Sequence, residues 1–246
     1  MQPRSIAACL GLLGMLLATQ AAASISLNTT RLVFDGDHKE ANVTVRNGNQ
    51  EVLIQSWVDR NDADSSPAPF AVTPPIARIF VKEQQLLRIL YEGTGMPTDR
   101  ESVVWLNVQE IPKNSETENS LQLAIRQRIK IFYRPAGLTG SALQAPAQLE
   151  WTLVKHGVQH LLRVKNPTLY HVSMADIKVQ AQLASDSTMI APGEEKQFPL
   201  KAPPAAGPVQ LSFSSINDYG AQNHYTAPLS DGPSAPVRAT ESLLQH

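Results

Sequence analysis

The sequence predicts an all-β protein built from two β-sandwich domains. Short apolar or alternating runs recur along the chain at intervals of roughly ten to fifteen residues, and turn-forming residues separate them. No stretch of convincing length shows the periodicity of an amphipathic helix. The chain has 246 residues, of which 42% are hydrophobic, so it is long enough for two cores of modest size.

Seven runs in the first half of the chain predict the strands of one sandwich. They cover residues 26–34, 41–46, 52–58, 77–81, 86–91, 103–109 and 121–133. Turn-forming sequences such as Asp35-Gly36-Asp37 and Asn47-Gly48-Asn49 lie between them. Seven strands are the number found in an immunoglobulin-like sandwich. We expect this domain to occupy residues 24–140.

A second, shorter β-domain is expected at residues 141–232. Small and loop-forming residues from Pro135 to Pro146 mark the boundary, and five further runs follow it. These runs cover residues 149–155, 158–165, 173–180, 195–200 and 208–214. His156-Gly157 lies where a hairpin turn is expected. The polar residues 233–246 are predicted to form a disordered tail.

Residues 1–23 have the features of a secretory signal peptide. Arg4 supplies a positive start, the run 6–18 is nearly all apolar, and Ala21-Ala22-Ala23 offers a small-residue cleavage site. We expect cleavage after Ala23 and export from the cytoplasm. Cys9 is the only cysteine and would leave with the signal, so thiol catalysis and thiolate metal sites are excluded from the mature chain.

Composition and motifs argue against an enzyme or a nucleic-acid-binding protein. The formal net charge is −1, which gives no overall attraction to nucleic acid or to an acidic membrane surface. The sequence has no nucleophile elbow, phosphate-binding loop, dinucleotide fingerprint or zincin motif. His156 and His160 have the spacing of helical metal ligands, but the pattern around them predicts a hairpin. We therefore predict no cofactor, no nucleotide and no metal.

The last predicted strand of the first domain, 121–133, is unusually long. Its odd positions are mostly apolar, and its even positions carry Gln122, Arg126, Arg128 and Lys130. Thirteen residues would extend over about 43 Å, whereas a strand commonly measures about 17–20 Å. Two interpretations stay open on this pattern. The segment is either a long central strand with one buried face, or an edge strand whose first half is held out for a partner.

Five segments in a fixed order carry a resemblance to a known family. They are 26–36 (SLNTTRLVFDG), 73–78 (TPPIAR), 99–112 (DRESVVWLNVQEIP), 129–135 (IKIFYRP) and 216–220 (INDYG). Each is modest alone, but together they span nearly the whole mature chain behind a signal peptide. The sequence resembles the periplasmic pilus-assembly chaperones, whose PapD member has immunoglobulin-type domains.

The resemblance implies two immunoglobulin-like domains set at an angle, with a cleft between them. It also implies a periplasmic chaperone that binds pilus or fimbrial subunits (pilins) and delivers them to an outer-membrane usher. A pilin lacks the last strand of its fold, and the chaperone inserts one of its own, which is a form of β-augmentation. By resemblance the donor strand is 121–133, and the donor side chains are Leu121, Leu123 and Ile125.

The same resemblance assigns two groups of charged residues. Arg31 and Lys130 match a pair of cations that bind the C-terminal carboxylate of the subunit in the cleft. Glu101, Arg134 and Asp218 match a buried ionic cluster that ties the two domains together. Without the flanking motifs, Arg31 and Lys130 would be interpreted as ordinary solvated residues on strands; the alternative for the other three is a plain surface role.

The spacing after Pro112 narrows the resemblance, and two departures from the family pattern accompany it. Only the short segment 113–120 separates Pro112 from the donor residues, which is similar to the short-loop branch of the family. Lys113 stands where a second proline is common, and the second domain lacks the disulfide of some members. The alternative is a secreted immunoglobulin-like binding or structural module. The sequence leaves open whether the free chain self-associates through its donor strand.

Overall fold

The computed structural model describes residues 25–60, 66–111, 123–205, 207–229 and 236–242. The predicted signal peptide and the predicted donor residue Leu121 lie outside these ranges. The described residues form strands, apart from turns, loops and one helix, α1, at Ala145–Gln148. No helix in these ranges has the length and apolar character that a membrane crossing requires.

Two sheets form the first domain. Their strands are β1 Ile25–Leu27, β2 Arg31–Asp35, β3 Glu40–Asn47, β4 Val52–Asp59, β5 Phe70–Thr73, β6 Ile76–Ile79, β7 Gln84–Tyr91, β8 Ser102–Ile111 and β9 Arg126–Arg134. One sheet has the order β1-β3-β7-β5, and the other has the order β2-β9-β8-β4-β6. Alternate side chains from both sheets, including Phe34, Val43, Leu87, Leu106 and Ile131, form one buried core.

The first predicted strand, 26–34, is in fact two strands that belong to different sheets. At 28–30 the chain leaves β1, and Asn28 and Thr44 exchange backbone and side-chain hydrogen bonds at this crossing. β2 then pairs with β9 in parallel, from Arg31 opposite Lys130 to Asp35 opposite Arg134. The crossing therefore brings Arg31 next to Lys130, from which it is separated by about a hundred positions in sequence.

The prediction of one continuous strand at 121–133 is wrong for its described first part, because β9 begins at Arg126. The ladder between β8 and β9 ends at the pair Gln109–Arg126, and one further bond joins the Glu110 amide to the Ile125 carbonyl. β8 ends at Ile111. β8 thus extends two residues past the last ladder pair, but residues 123–125 are not part of a strand.

The second domain is also a pair of sheets. Its strands are β10 Glu150–His156, β11 Gln159–Lys165, β12 Val172–Val179, β13 Gln182–Ile190, β14 Glu195–Pro199, β15 Val209–Ile216, β16 Gln222–Leu229 and β17 Thr240–Ser242. The sheet orders are β10-β11-β14 and β13-β12-β15-β16-β17. Trp151, Phe213 and Tyr225 lie at the centre of a separate buried core. The predicted hairpin turn at His156-Gly157 is confirmed, since His156 pairs with Gln159.

Four strands were absent from the sequence prediction: β5, β13, β16 and β17. β13 and β16 are largely polar, and β13 is an edge strand with little alternation of burial, so their pattern resembles that of loops. The predicted disorder of the tail is wrong for 236–242. There β17 pairs with β16, and Val237 pairs with Trp151 over the core. Ala239 is buried at this contact.

Candidate functional site

Half of β9 has an open edge. On one side β9 pairs with β8 along its length, and on the other side β2 pairs with it only from Lys130 onward. Residues 126–129 therefore have no strand on that side within the described residues. The backbone groups there are available for pairing with another chain, which proteins normally avoid at an edge. This edge is a site at which an extended segment can be added.

The two described donor candidates project their side chains into solvent just before this edge. Leu123 is 73% exposed and Ile125 is 40% exposed, whereas Ile129 and Ile131 farther along the chain are buried in the core. The interpretation as a central strand with one buried face thus holds only for the second half of the segment. Exposed large aliphatic side chains next to unpaired backbone suit a partner that buries both.

Arg31 and Lys130 lie side by side where the open edge meets β2. The Arg31 guanidinium lies 5.9 Å from the centre of the Phe132 ring, and its Nη1 donates to the Ile216 carbonyl oxygen at 2.9 Å. Its buried Nε has no hydrogen-bond partner in the part of the chain that the structure describes. Burial lowers the pKa of Arg31, and the nearby Asp218 carboxylate opposes this shift in part.

The Lys130 ammonium faces an aromatic ring and has no carboxylate partner among the described residues. Its Nζ lies 5.5 Å from the centre of the Trp105 ring, on the strand directly opposite. Burial and, to a lesser degree, repulsion from Arg31 lower the pKa of Lys130. Two partly desolvated cations that form no ion pair with a carboxylate of the described residues make a site that favours an incoming anion.

The three residues of the predicted ionic cluster are in direct contact. Arg134 donates from Nε to Glu101 Oε2 at 2.7 Å, and from Nη1 and Nη2 to the two oxygens of Asp218 at 2.8 and 2.7 Å. Burial opposes the charge of Arg134, but these hydrogen bonds and the two carboxylates outweigh it and raise its pKa. Asp218 belongs to the second domain, so the bidentate pair joins the two domains.

Glu101 makes a second connection to the other domain, which the sequence did not indicate. Its side chain is buried, and Oε1 accepts a hydrogen bond from the His171 backbone amide at 2.8 Å and lies 3.1 Å from His171 Nδ1. Its own backbone amide donates to the Leu169 carbonyl oxygen at 2.9 Å. The carboxylate thus satisfies groups from both domains, and nothing in the local sequence around His171 signals this role.

Strand alternation explains how Lys130 reaches the region between the domains. Side chains at 129, 131 and 133 fill the core, so those of Lys130, Phe132 and Arg134 lie on the outer face of β9. On this face the centre of the Phe132 ring lies 6.2 Å from the centre of the His171 ring of the second domain, and Arg134 binds Asp218. The outer face of β9 is therefore one wall of the interdomain region.

Two aromatic residues on the outer face of this sheet were missed from the sequence: Trp105 on β8, opposite Lys130, and Phe132 on β9. Trp105 contacts two cations, because the Arg128 guanidinium lies 4.6 Å from its ring centre in addition to the Lys130 ammonium. Phe132 lies beside the Arg31 guanidinium. The even-position parity that Phe132 shares with Lys130 and Arg134 was the signal that could have identified it.

Two family models match the chain, one for each sandwich. The model described as "Pili and flagellar-assembly chaperone, PapD N-terminal domain" matches residues 24–139. The model described as "Pili assembly chaperone PapD, C-terminal domain" matches residues 144–227. Together they span the strands that carry the open edge, the cation pair and the ionic cluster.

Individual proteins match over most of their length. The probable fimbrial chaperone LpfB of Escherichia coli O157:H7 is 39% identical over 81% of this chain and 86% of its own. The crystal structure of the YadV chaperone, a probable fimbrial chaperone of E. coli K12, is 37% identical, covers 84% of this chain and 100% of its own, and has a TM-score of 0.71.

One similar structure contains a bound subunit. A chain from the complex between the Salmonella enterica SafA pilin and the SafB chaperone is 30% identical to this chain. The match covers 85% of this chain and 99% of the other, with a TM-score of 0.71. The predicted fold class, two immunoglobulin-like sandwiches, is confirmed by these similarities and by the sheets described above.

Proposed function

The chain belongs to the PapD family of pilus-assembly chaperones, and from this premise we propose that it binds pilus subunits by lending them an edge strand. The observation that carries the proposal is the combination at β9. Within the described residues, the edge of β9 at 126–129 has no partner strand. Exposed aliphatic side chains lie at one end of this edge, and two cations that form no ion pair there, Arg31 and Lys130, lie at the other.

The edge also determines the direction of the client strand. β2 runs parallel to β9 and occupies this edge from Lys130 onward, so a client strand along 126–129 lies in line with β2. If its terminal carboxylate is to reach Arg31 and Lys130, the client must run parallel to β9 with its C-terminus pointing toward β2. Leu123 and Ile125, with Leu121 by resemblance, then lie farthest from the carboxylate and fill the open core of the client.

The cation pair sets the register of the client. Each hydrogen bond between a charged donor and a carboxylate is worth about 1.5–3 kcal/mol. A fixed terminus matters because a slip of one residue would direct every interacting side chain to the wrong face. The anchor thus selects for a free C-terminus, and the strand edge supplies contacts that do not depend on sequence.

The ionic cluster holds the two domains in place on either side of the anchor. Arg31 is bound by the Ile216 carbonyl, two residues before Asp218, which pairs with Arg134. The segment 216–218 of the second domain is therefore attached to the first domain at both the anchor and the cluster. We propose that Glu101, Arg134 and Asp218 set the relative position of two domains that occupy 24–140 and 141–232.

The cellular part of the proposal follows from the family and the N-terminus. Residues 1–23 are proposed to direct export to the periplasm, where fimbrial chaperones act. The chaperone then delivers its client to an outer-membrane usher, where another subunit's strand replaces the donor segment. Each step exchanges one non-covalent strand pairing for another, so the proposal involves no enzymatic step, cofactor or nucleotide.

A comparison of free and amidated peptides tests the anchor. A peptide corresponding to a pilin's C-terminal strand should bind the mature chain with a free carboxylate, and about 10–150-fold more weakly when amidated. Lys130→Met should weaken the free acid by a similar factor and leave the amide unchanged. Lys155→Met, at an exposed position on β10, is the matched control. Equal binding of acid and amide would favour the alternative, a general immunoglobulin-like binding module.

The donor segment requires a separate test with whole subunits. Leu123→Glu should abolish co-purification of pilins from the periplasm of the producing strain, because a carboxylate would enter the client's core. Circular dichroism should stay β-rich, since Leu123 is exposed in the free chain. Val158→Glu, at an exposed hairpin position of the second domain, is the control and should retain the client.

A further inference from the structure

The turn between β15 and β16, residues 217–221, lies against the part of the first domain that carries Arg31. Ile216 is the last residue before this turn, and its carbonyl oxygen accepts the hydrogen bond from Arg31 Nη1. Burial lowers the pKa of Arg31, and the Asp218 carboxylate within the turn opposes this shift. One short turn of the second domain thus holds a residue of the anchor with a backbone acceptor and an opposite charge.

Asn217 fixes the shape of this turn with both ends of its side chain. Its Oδ1 accepts hydrogen bonds from the backbone amides of Tyr219 and Ala221, each at 3.0 Å, and its Nδ2 donates to Asn223 Oδ1 at 3.1 Å. Its backbone amide donates to the Ala221 carbonyl oxygen at 2.9 Å, and its own carbonyl oxygen accepts from the Gly220 amide at 2.9 Å. Asparagine suits this position because its side chain can bond to the backbone amides that follow it. The turn is therefore ordered from within.

Gly220 lets the turn approach the residue that precedes Arg31. Its φ is +83°, in the left-handed region, and a Cβ added at this position would lie 2.7 Å from Thr30 Oγ1. A side chain there would meet both a conformational penalty and a steric clash. Glycine thus allows the second domain to come close to the first domain at Thr30, directly before the anchor.

A guanidinium that is held in the free chain binds a carboxylate at a lower entropic cost. An arginine side chain loses much rotamer freedom when it is immobilised, and this loss weakens binding. The Ile216 carbonyl and the Phe132 ring already contact the Arg31 guanidinium in the free chain. An incoming carboxylate therefore meets donors whose direction is largely fixed. Residues that shape the turn should then affect the affinity for a carboxylate, even though they act only through Arg31.

We propose that Asn217 and Gly220 are positioning residues of the anchor. The turn that they shape holds the Arg31 guanidinium in the orientation in which it receives the client's carboxylate. The inference rests on the proposed function, and it gives the second domain a direct part in client binding. The turn acts on the affinity for a free C-terminus, whereas an amidated peptide makes the same contacts along the strand edge without this help.

The affinity of a free-acid peptide divided by that of its amide, the acid-to-amide ratio, measures this role. In the wild type the peptide of a pilin's C-terminal strand should give a ratio of about 10–150. Asn217→Ala in the whole mature chain should lower the ratio about 5-fold, because it weakens only the acid. A purely structural residue would weaken both peptides equally. Asn49→Ala, at an exposed position between β3 and β4, is the control and should keep the ratio.

Two glycines of similar backbone conformation separate the close approach from backbone strain. Gly193 lies in another turn of the second domain with a φ of +74°, and apart from its chain neighbours none of the described residues comes within 4 Å of a Cβ added there. Gly220→Ala should lower the acid-to-amide ratio about 5-fold. Gly193→Ala introduces the same kind of strain and should keep the ratio.

A second substitution should rescue the Gly220 variant. Thr30→Ala removes the oxygen that the new Cβ would meet, so the double variant Thr30→Ala/Gly220→Ala should regain the acid-to-amide ratio of Thr30→Ala to within about 2-fold. Backbone strain at Gly220 would remain in the double variant. The rescue therefore attributes the effect to the contact between the domains, and a ratio as low as that of Gly220→Ala alone would contradict it.

A variant without Arg31 tests whether the turn acts through this residue. In Arg31→Met the remaining preference for the acid comes from Lys130, and adding Asn217→Ala should change the acid-to-amide ratio by less than about 2-fold. An equal reduction of the ratio with and without Arg31 would overturn the positioning role.

The wild type separates failure of this inference from failure of the proposed function. If the wild type binds acid and amide equally, the proposed function itself is wrong. If the wild type prefers the acid, but Asn217→Ala and Gly220→Ala both keep the full ratio, the anchor stands and the positioning role of the turn is wrong.

Discussion

Lys130 and Arg134 lie four residues apart on the same face of β9, in opposite electrostatic environments. Arg134 is held by two carboxylates, and its pKa is raised. Lys130 has an aromatic ring and a second cation beside it, and its pKa is lowered. The charge of Arg134 is thus paired within the chain, whereas Lys130, four residues earlier on the same strand, forms no ion pair among the described residues, as the proposed anchor for a client's carboxylate requires.

The comparison separates stability from function within one strand. A paired buried cation contributes to the folded state mainly because its removal would leave its partners unpaired. An unpaired cation destabilises the free protein and gains its partner only when the client arrives. In the proposed function, Arg134 therefore holds the two domains together, and Lys130 gains an anionic partner only when the client binds.

The largest expected effect is that of Arg134→Ala on stability. It would leave the buried Glu101 carboxylate without its cation, which typically costs about 3–5 kcal/mol. Urea unfolding of the purified mature chain should show this loss. Arg88→Ala removes an exposed arginine that pairs with Glu40 and should leave the unfolding midpoint unchanged within error. Similar midpoints for both variants would show that Arg134 contributes no more to stability than an exposed arginine.

Lys130→Met should have the opposite effect on the free chain. Since the charged form of Lys130 is disfavoured by burial and by Arg31, an apolar side chain of similar length should raise the free energy of unfolding, by about 1 kcal/mol or less. The same variant should lose peptide binding. A variant that is less stable than the wild type in urea would show that Lys130 is a structural residue.

The pH dependence of stability sharpens this prediction. The folded-state pKa of Lys130 lies below its unfolded value of about 10.5, so the unfolded chain retains the proton to higher pH. Stability of the wild type should therefore rise, relative to Lys130→Met, as pH increases through the window below 10.5. The gap between their urea midpoints should be widest near neutral pH and close at the alkaline end. A gap that stays constant would argue against a lowered pKa.

The smallest expected effect belongs to Trp105→Leu. Loss of the cation–π contact should weaken binding of a peptide with a free carboxylate by about 2–5-fold, which corresponds to about 0.5–1 kcal/mol. It should also shift the alkaline limb of the binding profile to lower pH, because the ring favours the charged form of Lys130. Trp105→Tyr keeps an aromatic face and should lie between the wild type and the leucine variant. A purely structural role would weaken binding equally at every pH.

Sequence patterns predicted best those strands that have one buried face. Alternation located β3, β4, β10 and β11 to within one or two residues, because burial on a sandwich follows the pleat. β13 and β16 were not predicted because they are largely polar, and the pairing with neighbouring strands that stabilises them is not visible in the local sequence. The start of β9 was misplaced because alternation continues through 123–125, whereas the regular ladder with β8 ends at Arg126.

The residues of the site were named from local motifs, but their arrangement was not encoded in any of them. The sequence by itself determined the fold class, and its resemblance to a known family named the aliphatic donor candidates and the five charged residues. Only the tertiary structure decided that Arg31 stands beside Lys130, that Glu101 reaches His171, and that Phe132 and Trp105 form the wall. Alternation and turn chemistry are local, whereas these contacts depend on a parallel pairing of distant strands and on the position of one domain against the other.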